Sequence, residues 1–450
     1  MRYKNLYKNG YCALMMAAAS LQTFAQKTSY KFDFGTGKKV AGYFAVTPRS
    51  EYNETTGYGF DSGSNLKAVS ANKQSLTGDY ITANAPFSFS VKLPEGNYDI
   101  EILLGDRKGS SATTIRTECR RLMLENVRTN YGKITRQTFT VHVKDSLIRN
   151  ANGSVIKKVK LKPRELKYLH WDNRLTIEFN DSLPKICALK IKPNKTACTI
   201  FLAGNSTVVD QDREPWAAWG QMFPAFLVPG KVAVANYAES GETLLAFERE
   251  NRLNKIWSMA KPGDYLFIEF AHNDQKPGGN HLDAFTSYKS VLKKWIDEAK
   301  KRKVIPVLIT SMHRRNFDSA GKIINTLLDY PEAMRQTAKE EKVLLIDLNA
   351  MSKILYESWG PERSLKAFVH YPANSFPGQQ VALSDNTHFS TYGAYILAQC
   401  FVNSIIKQKL PLAAFLKNDL VEFEVKNPSP FENFYWPPAS YQQVSKPDGN

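Results

Sequence analysis

The chain has 450 residues, 43% of them hydrophobic and 23% charged, with 60 Lys and Arg against 43 Asp and Glu for a formal net charge of +17. This is the composition of a folded chain long enough for two or three domains, and five cysteines in such a length exclude a disulfide scaffold. The excess of cations suits a polyanionic partner, whether a uronic-acid polysaccharide, nucleic acid or an anionic surface, although solubility alone also accounts for it.

Residues 1–26 carry Arg2, Lys4 and Lys8, then an apolar run from Cys12 to Ser20, then Thr23-Phe24-Ala25. A charged, an apolar and a small-residue region in that order read as a secretory signal peptide. The run falls short of the ~20 residues of a membrane span, so export to the periplasm or the medium is expected, without stable membrane insertion. Cys12 leaves with this segment, and Cys119, Cys187, Cys198 and Cys400 are expected as buried free thiols. Cys187 and Cys198 are the one pair close in sequence should a bridge form.

Residues 27–195 read as short strands with turn punctuation: Tyr30 to Phe34, Phe87 to Leu93, Tyr98 to Leu104, Gln137 to Val143, Leu175 to Phe179 and Ala188 to Ile191. Gly96-Asn97 and Asn180-Asp181 supply turn chemistry. Strands without long helical runs predict an antiparallel β-sandwich. The phrases Phe-Ser-Val-Lys-Leu-Pro-Glu-Gly-Asn-Tyr-Asp-Ile and Leu-Thr-Ile-Glu-Phe-Asn resemble galactose-binding-like jelly-roll domains. The resemblance implies either sugar binding or a structural role against the next domain. Tyr52, Tyr58, Phe60 and Trp171 are the aromatics on which a sugar would stack, with core packing as the alternative.

Over residues 196–410 the rhythm changes. Strands at Thr199 to Leu202, Val232 to Ala235, Tyr265 to Phe270, Val304 to Thr310 and Val343 to Leu348 alternate with helices at Leu244 to Ala260, Asp283 to Lys301, Pro331 to Lys342 and Thr391 to Gln408. Such alternation predicts a three-layer α/β domain around a parallel sheet, with ligands outside the carboxyl ends of the strands. Four chemically suggestive segments fall at such ends. The first strand runs into Gly204-Asn205-Ser206-Thr207; a serine hydroxyl needs a base within hydrogen-bond reach and a third group to orient that base. His388 would be the base and Asp385, three residues earlier in the same short turn, its partner. The Ser206 amide, the Gly241 amide and the Asn273 side chain would donate to the oxyanion of a tetrahedral intermediate.

Ser206, Gly241, Asn273 and His388, in that order, resemble the four motif blocks of the SGNH (GDSL-type) hydrolases over roughly residues 197 to 408. Gly-Asn-Ser-Thr-Val-Val-Asp, Asn-Tyr-Ala-Glu-Ser-Gly, His-Asn-Asp-Gln-Lys and Asp-Asn-Thr-His-Phe-Ser look like the rhamnogalacturonan acetylesterase branch. The resemblance implies a flavodoxin-like fold and a serine carboxylic-ester hydrolase with Ser206, His388 and Asp385 as its catalytic triad. It also implies an acetylated acidic polysaccharide as substrate. Acetylxylan, another glycan, a lipid ester, or binding by a decayed enzyme are the alternatives. The chain departs from the family at Asn205, where an aspartate is usual, and at Ala271, where a glycine is usual. Asn205 is expected to alter the hydrogen bonding that seats Ser206, and Ala271 to strain a backbone suited to glycine.

Asp210, Asp212, Arg213, Trp216 and Trp219 follow Ser206 and could line the cleft, the two tryptophans equally reading as core on one helix. Arg213, Arg314 and Arg315 are the candidates for holding a galacturonate carboxylate. His272 reads as structural. His313 and His370 are isolated, no ligand spacing indicates a metal, and neither a cofactor nor a nucleic-acid motif is indicated. Residues 411–450 form an irregular tail rich in proline and aromatics, whose Phe431, Phe434, Tyr435 and Trp436 suit a strap on a domain surface.

Overall fold

The computed structural model describes residues 27–70 and 75–439, so the signal-peptide reading of residues 1–26 and the end of the tail lie outside the described residues. In the Gly96–Gly105 strand, Tyr98, Ile100, Ile102 and Leu104 are buried while Asn97, Asp99, Glu101 and Leu103 are half-buried. This period-2 pattern covers one face of a sheet with apolar side chains. Two such sheets face each other. One runs Ile134–Val143, Gly96–Gly105, Lys185–Pro193, Tyr30–Phe34 and Phe44–Val46, with Asp79–Thr82 and Lys67–Ser70 attached. The other runs Tyr58–Phe60, Phe87–Lys92, Arg174–Leu183, Ser111–Thr117 and Arg121–Thr129. All pairings are antiparallel except that of Tyr30–Phe34 with Phe44–Val46. Phe32, Phe34, Phe60, Phe87, Phe89 and Phe179 fill the space between them.

The two turn signals lie inside strands instead. Gly96-Asn97 begins one, and Asn180-Asp181 forms a bulge in another: Asn180 pairs with Thr114 and Leu183 with Ala112, and Asp181 takes φ +105°. The candidate sugar platforms are occupied. Phe60 and Tyr58 pack in the aromatic core, the Arg174 guanidinium sits 3.9 Å from the centre of the Tyr52 ring, and Trp171 donates to Glu165 at 2.9 Å. The strands Ser111–Thr117 and Arg121–Thr129 show no alternation because their polar residues Thr113, Thr117 and Arg121 are buried too. Among the described residues the four cysteines are free thiols, with Cys198 half-buried and the others buried.

From Cys198 the chain builds a five-stranded parallel sheet, ordered Val232–Asn236, Cys198–Gly204, Tyr265–Glu269, Ile305–Ile309, Leu344–Ile346. Successive side chains enter opposite cores: Ile200 and Leu202 join one, Phe201 and Ala203 the other. Helices Leu348–Arg363 and Thr391–Lys407 cover the first face, and Lys289–Lys301 and Tyr330–Glu341 the second. The helix expected over 244–260 is broken at Asn251, which takes φ +61° between Leu244–Arg249 and Arg252–Met259. The fifth strand stops at Ile346 because Asp347 accepts from the Ala350 amide and caps a helix that the sequence pattern did not reveal.

The domains meet through buried charge: Arg121 with Asp210 at 2.6 Å, Arg252 with Glu165 at 2.5 Å, and Lys255 with Glu95 and Asp145. The tail crosses both. Leu412, Leu416 and Phe423 enter the α/β core, Trp436 donates to Glu214, and the Pro438 carbonyl accepts from Asn180 of the sandwich. Among the described residues no helix is long and apolar enough to cross a membrane.

Candidate active site

The Cys198–Gly204 strand delivers Ser206 through a turn that only glycine permits at 204, where a Cβ would lie 2.6 Å from Val208 Cγ2 and 3.1 Å from the Glu269 carbonyl. Asn205 Oδ1 fixes the turn by accepting from the Thr207 amide at 3.1 Å and the Thr207 hydroxyl at 2.9 Å. An aspartate could accept the same two bonds. What asparagine changes is its Nδ2, which is buried without a partner. Ala271 is unstrained, since it is not among the positions with left-handed backbone.

His388 and Asp385 come from the Leu383–Phe389 strand, which pairs antiparallel with Phe368–Tyr371 outside the main parallel sheet, a correction to the strand-end placement of all four blocks. Phe389 pairs with Phe368 and Asp385 with the next residue, Val369, so residues 386–388 bulge out of the ladder. That bulge replaces the expected turn. Asp385 Oδ1 closes it by accepting from the Thr387 and His388 amides at 2.9 and 3.0 Å.

These two excursions bring the three groups into line. Ser206 Oγ lies 2.8 Å from His388 Nε2, and His388 Nδ1 lies 2.8 Å from Asp385 Oδ2. All three are at most 4% exposed. Burial acts to raise the Asp385 pKa, but the hydrogen bond and attraction of His388 and the two backbone amides outweigh it and hold the carboxyl well below its ordinary range. An ionised Asp385 only accepts, so His388 Nδ1 must donate and Nε2 must accept from the serine. Trp216 Nε1 also donates to Asp385, at 3.4 Å.

Gly241 takes φ +80°, in the left-handed region suited to glycine. Asn273 is buried and donates one Nδ2 hydrogen to the Glu242 carbonyl at 3.0 Å. Arg314 and Arg315 face protein: Arg314 donates to Thr326 and the His272 carbonyl, and Arg315 to Ser364, Pro361 and Asn386 in the His388 bulge. Arg213 pairs with Asp212 at 3.0 Å, in a crevice shared with the sandwich residues Glu118 and Thr176. Trp216 and Trp219 are both buried, and only Trp219 lies on a helix, Trp219–Met222. Among the described residues no group of three His, Cys, Asp or Glu could hold a metal.

Sequence reasoning passed over Glu269 and Asn236. Asn236 donates to the Val208 carbonyl and to Asp210, tying the second motif loop to the first. Glu269 accepts from Ser311 and Trp219 at 3.1 and 2.7 Å and lies 2.9 Å from the hydroxyl of Thr207, the residue after Ser206. A glutamate ending an apolar strand was the available signal. Burial pushes its pKa up to about 7. Between its ordinary value and 7 the unfolded chain has lost the proton that the folded chain keeps, so stability falls as pH rises through this window. Glu269→Gln is expected to flatten that fall by at most about 1.4 kcal/mol per pH unit, read as the urea midpoint between pH 5 and 7.5.

Residues 202–393 match the GDSL-like Lipase/Acylhydrolase family, and residues 30–147 match the Beta-agarase/YXIM esterase-like, galactose-binding domain-like family. Rhamnogalacturonan acetylesterase RhgT of Bacillus subtilis is 41% identical over 234 residues, which cover 52% of this chain and 98% of that protein. The uncharacterized esterase YxiM of the same organism is 27% identical over 393 residues, covering 85% of this chain and 92% of the relative. The crystal structure of YxiM aligns with a TM-score of 0.45 at 26% identity, covering 85% of this chain and 99% of that one. The chain belongs to the GDSL-like lipase/acylhydrolase family and carries a galactose-binding-like domain ahead of its α/β domain.

Proposed function

We propose that the protein is an exported serine carbohydrate esterase that removes acetyl groups from an acidic plant polysaccharide, rhamnogalacturonan. The observation that carries the reading is the continuous line from Ser206 Oγ through His388 to an ionised Asp385, with both contacts at 2.8 Å. In this mechanism Ser206 Oγ attacks the acetyl carbonyl as His388 Nε2 takes its proton, and Asp385 stabilises the imidazolium. The Ser206 and Gly241 amides and the second Nδ2 hydrogen of Asn273 receive the oxyanion. His388 gives the proton to the sugar oxygen as its bond to the acetyl carbon breaks, so that the sugar leaves as a free hydroxyl, and water then releases acetate by the same steps.

The name of the 41% identical relative supports the substrate, as does the excess of cations, which persists without Arg2, Lys4 and Lys8 and favours a polymer bearing carboxylates. The reading of residues 1–26 supports export. The test is acetate release from acetylated rhamnogalacturonan and acetylated xylan, with Ser206→Ala protein as the blank. Serine-dependent release is expected to be at least about tenfold faster from the acidic polymer, the discrimination that about 1.4 kcal/mol of favourable contact supplies. Equal or faster release from xylan would overturn the substrate, and release by the blank would overturn the mechanism.

A further inference from the structure

We infer that the N-terminal domain is a working part of the ester-cleaving site, because its Lys162 and Arg164 orient and polarise the peptide whose N–H meets the oxyanion. The inference rests on the serine-esterase reading above. Lys162 and Arg164 stand at the start of a short 3-10 turn, Pro163–Lys167, that leaves the sandwich between its strands Val155–Lys158 and Arg174–Leu183. From there both side chains reach one atom of the α/β domain. Lys162 Nζ donates to the Ser240 carbonyl oxygen at 2.8 Å, and Arg164 Nη2 donates to the same oxygen at 2.9 Å.

That carbonyl belongs to the Ser240–Gly241 peptide. In a trans peptide the C=O and N–H point in opposite directions, so fixing the Ser240 oxygen fixes the direction of the Gly241 N–H on the other side of the plane. Gly241 at φ +80° imposes little torsional preference of its own, which makes an external constraint useful. Two cations on the oxygen also draw electron density along the amide and strengthen its N–H as a donor, as hydrogen bonds in a chain polarise one another. Their other bonds hold both side chains in place. Arg164 pairs with Glu239 at 2.8 Å, Lys162 pairs with Glu242 at 2.5 Å, and the Ser240 amide donates to the same Glu239 oxygen. The second motif loop is thus gripped by the neighbouring domain on both sides of that peptide, whereas the candidate sugar platforms Tyr52, Tyr58, Phe60 and Trp171 are packed or covered.

p-Nitrophenyl acetate separates the roles, because it is too small to need a sugar-binding domain. Arg164→Met and Lys162→Met in the full chain are each expected to lower kcat on this ester about 10-fold, and the double variant about 100-fold, the lower end of what loss of an oxyanion donor costs. KM should stay within about threefold, since the peptide acts on the transition state. Arg164→Lys, which keeps a cation on the carbonyl, should recover most of the rate. Both side chains are partly exposed, at 22% and 29%, but their partners Glu242 and Glu239 are buried, so the single variants are expected to fold with a lowered thermal midpoint, and a cooperative unfolding transition above the assay temperature shows that they have folded. If the double variant fails to fold, the single variants decide. Folded variants with parental kcat on this ester, or with a loss confined to polysaccharide KM, would overturn the inference. Hydrolysis by the parent that survives Ser206→Ala would instead overturn the serine reading on which it rests.

Discussion

Ser206→Ala is expected to lower kcat on a small acetyl ester by about 10⁶-fold, and Asp385→Asn by about 10⁴-fold with the fold intact. The second change is the more informative. Asp385 Oδ1 accepts two backbone amides, a role that the Oδ1 of asparagine can keep, so the bulge that carries His388 should survive. Oδ2, 2.8 Å from His388 Nδ1, would be replaced by an NH2 group. That group donates, so Nδ1 must become the acceptor and Nε2 must carry the ring proton. Nε2 would then face Ser206 Oγ with a hydrogen instead of a lone pair and could not take the serine proton. The expected signature is a fall in kcat without a rise in KM and without a loss of thermal stability, measured on p-nitrophenyl acetate. An Asp385→Asn protein within tenfold of the parent would show that His388 does not depend on this carboxylate for its tautomer.

The meeting of Ser206, His388 and Asp385 was legible in the sequence because its parts are local. Gly204 to Thr207, Gly241, Asn273 and the Asp385–His388 pair each sit in short runs of distinctive residue types, and the strand periodicity places three of the four at the ends of parallel strands. The bulge that presents His388 was read as a turn because its cause is the pairing of Phe389 with Phe368, a long-range register invisible in the local run. Arg314 and Arg315 looked available for a substrate carboxylate, yet their donors satisfy backbone and side-chain acceptors brought in from residues 272, 326, 361, 364 and 386. The strands Ser111–Thr117 and Arg121–Thr129 escaped notice for a related reason. Thr113, Thr117 and Arg121 are buried along with the apolar residues of these strands, and the hairpin tip, with Arg120 and Arg121, faces a second domain, so no apolar alternation marks them. Glu269 and Asn236 were passed over because a buried polar residue at a strand end gives no sign of which loops it will join.

Arg121→Met is expected to destabilise the full chain by about 3–5 kcal/mol, the cost of leaving a buried charge without its partner. Arg121 and Asp210 are both almost wholly buried, and two guanidinium nitrogens reach Asp210 Oδ2 at 2.9 and 2.6 Å. The other carboxylate oxygen accepts from the Asn236 amide at 2.9 Å. Without the arginine the carboxylate stays buried with the Asn236 amide as a donor and only the attraction of the nearby Lys144 ammonium to offset its charge. Adding Asp210→Asn removes the stranded charge while keeping an acceptor for Asn236, at the smaller cost of about 1–3 kcal/mol for an unpartnered amide. The double variant should therefore be more stable than Arg121→Met alone, a sign reversal that independent sites cannot give. Urea unfolding of the parent, both single variants and the double variant measures the cycle. An Arg121→Met protein within about 0.5 kcal/mol of the parent, the range of an ordinary surface substitution, would mean that the hairpin tip is solvated and that the sandwich is not docked through this pair.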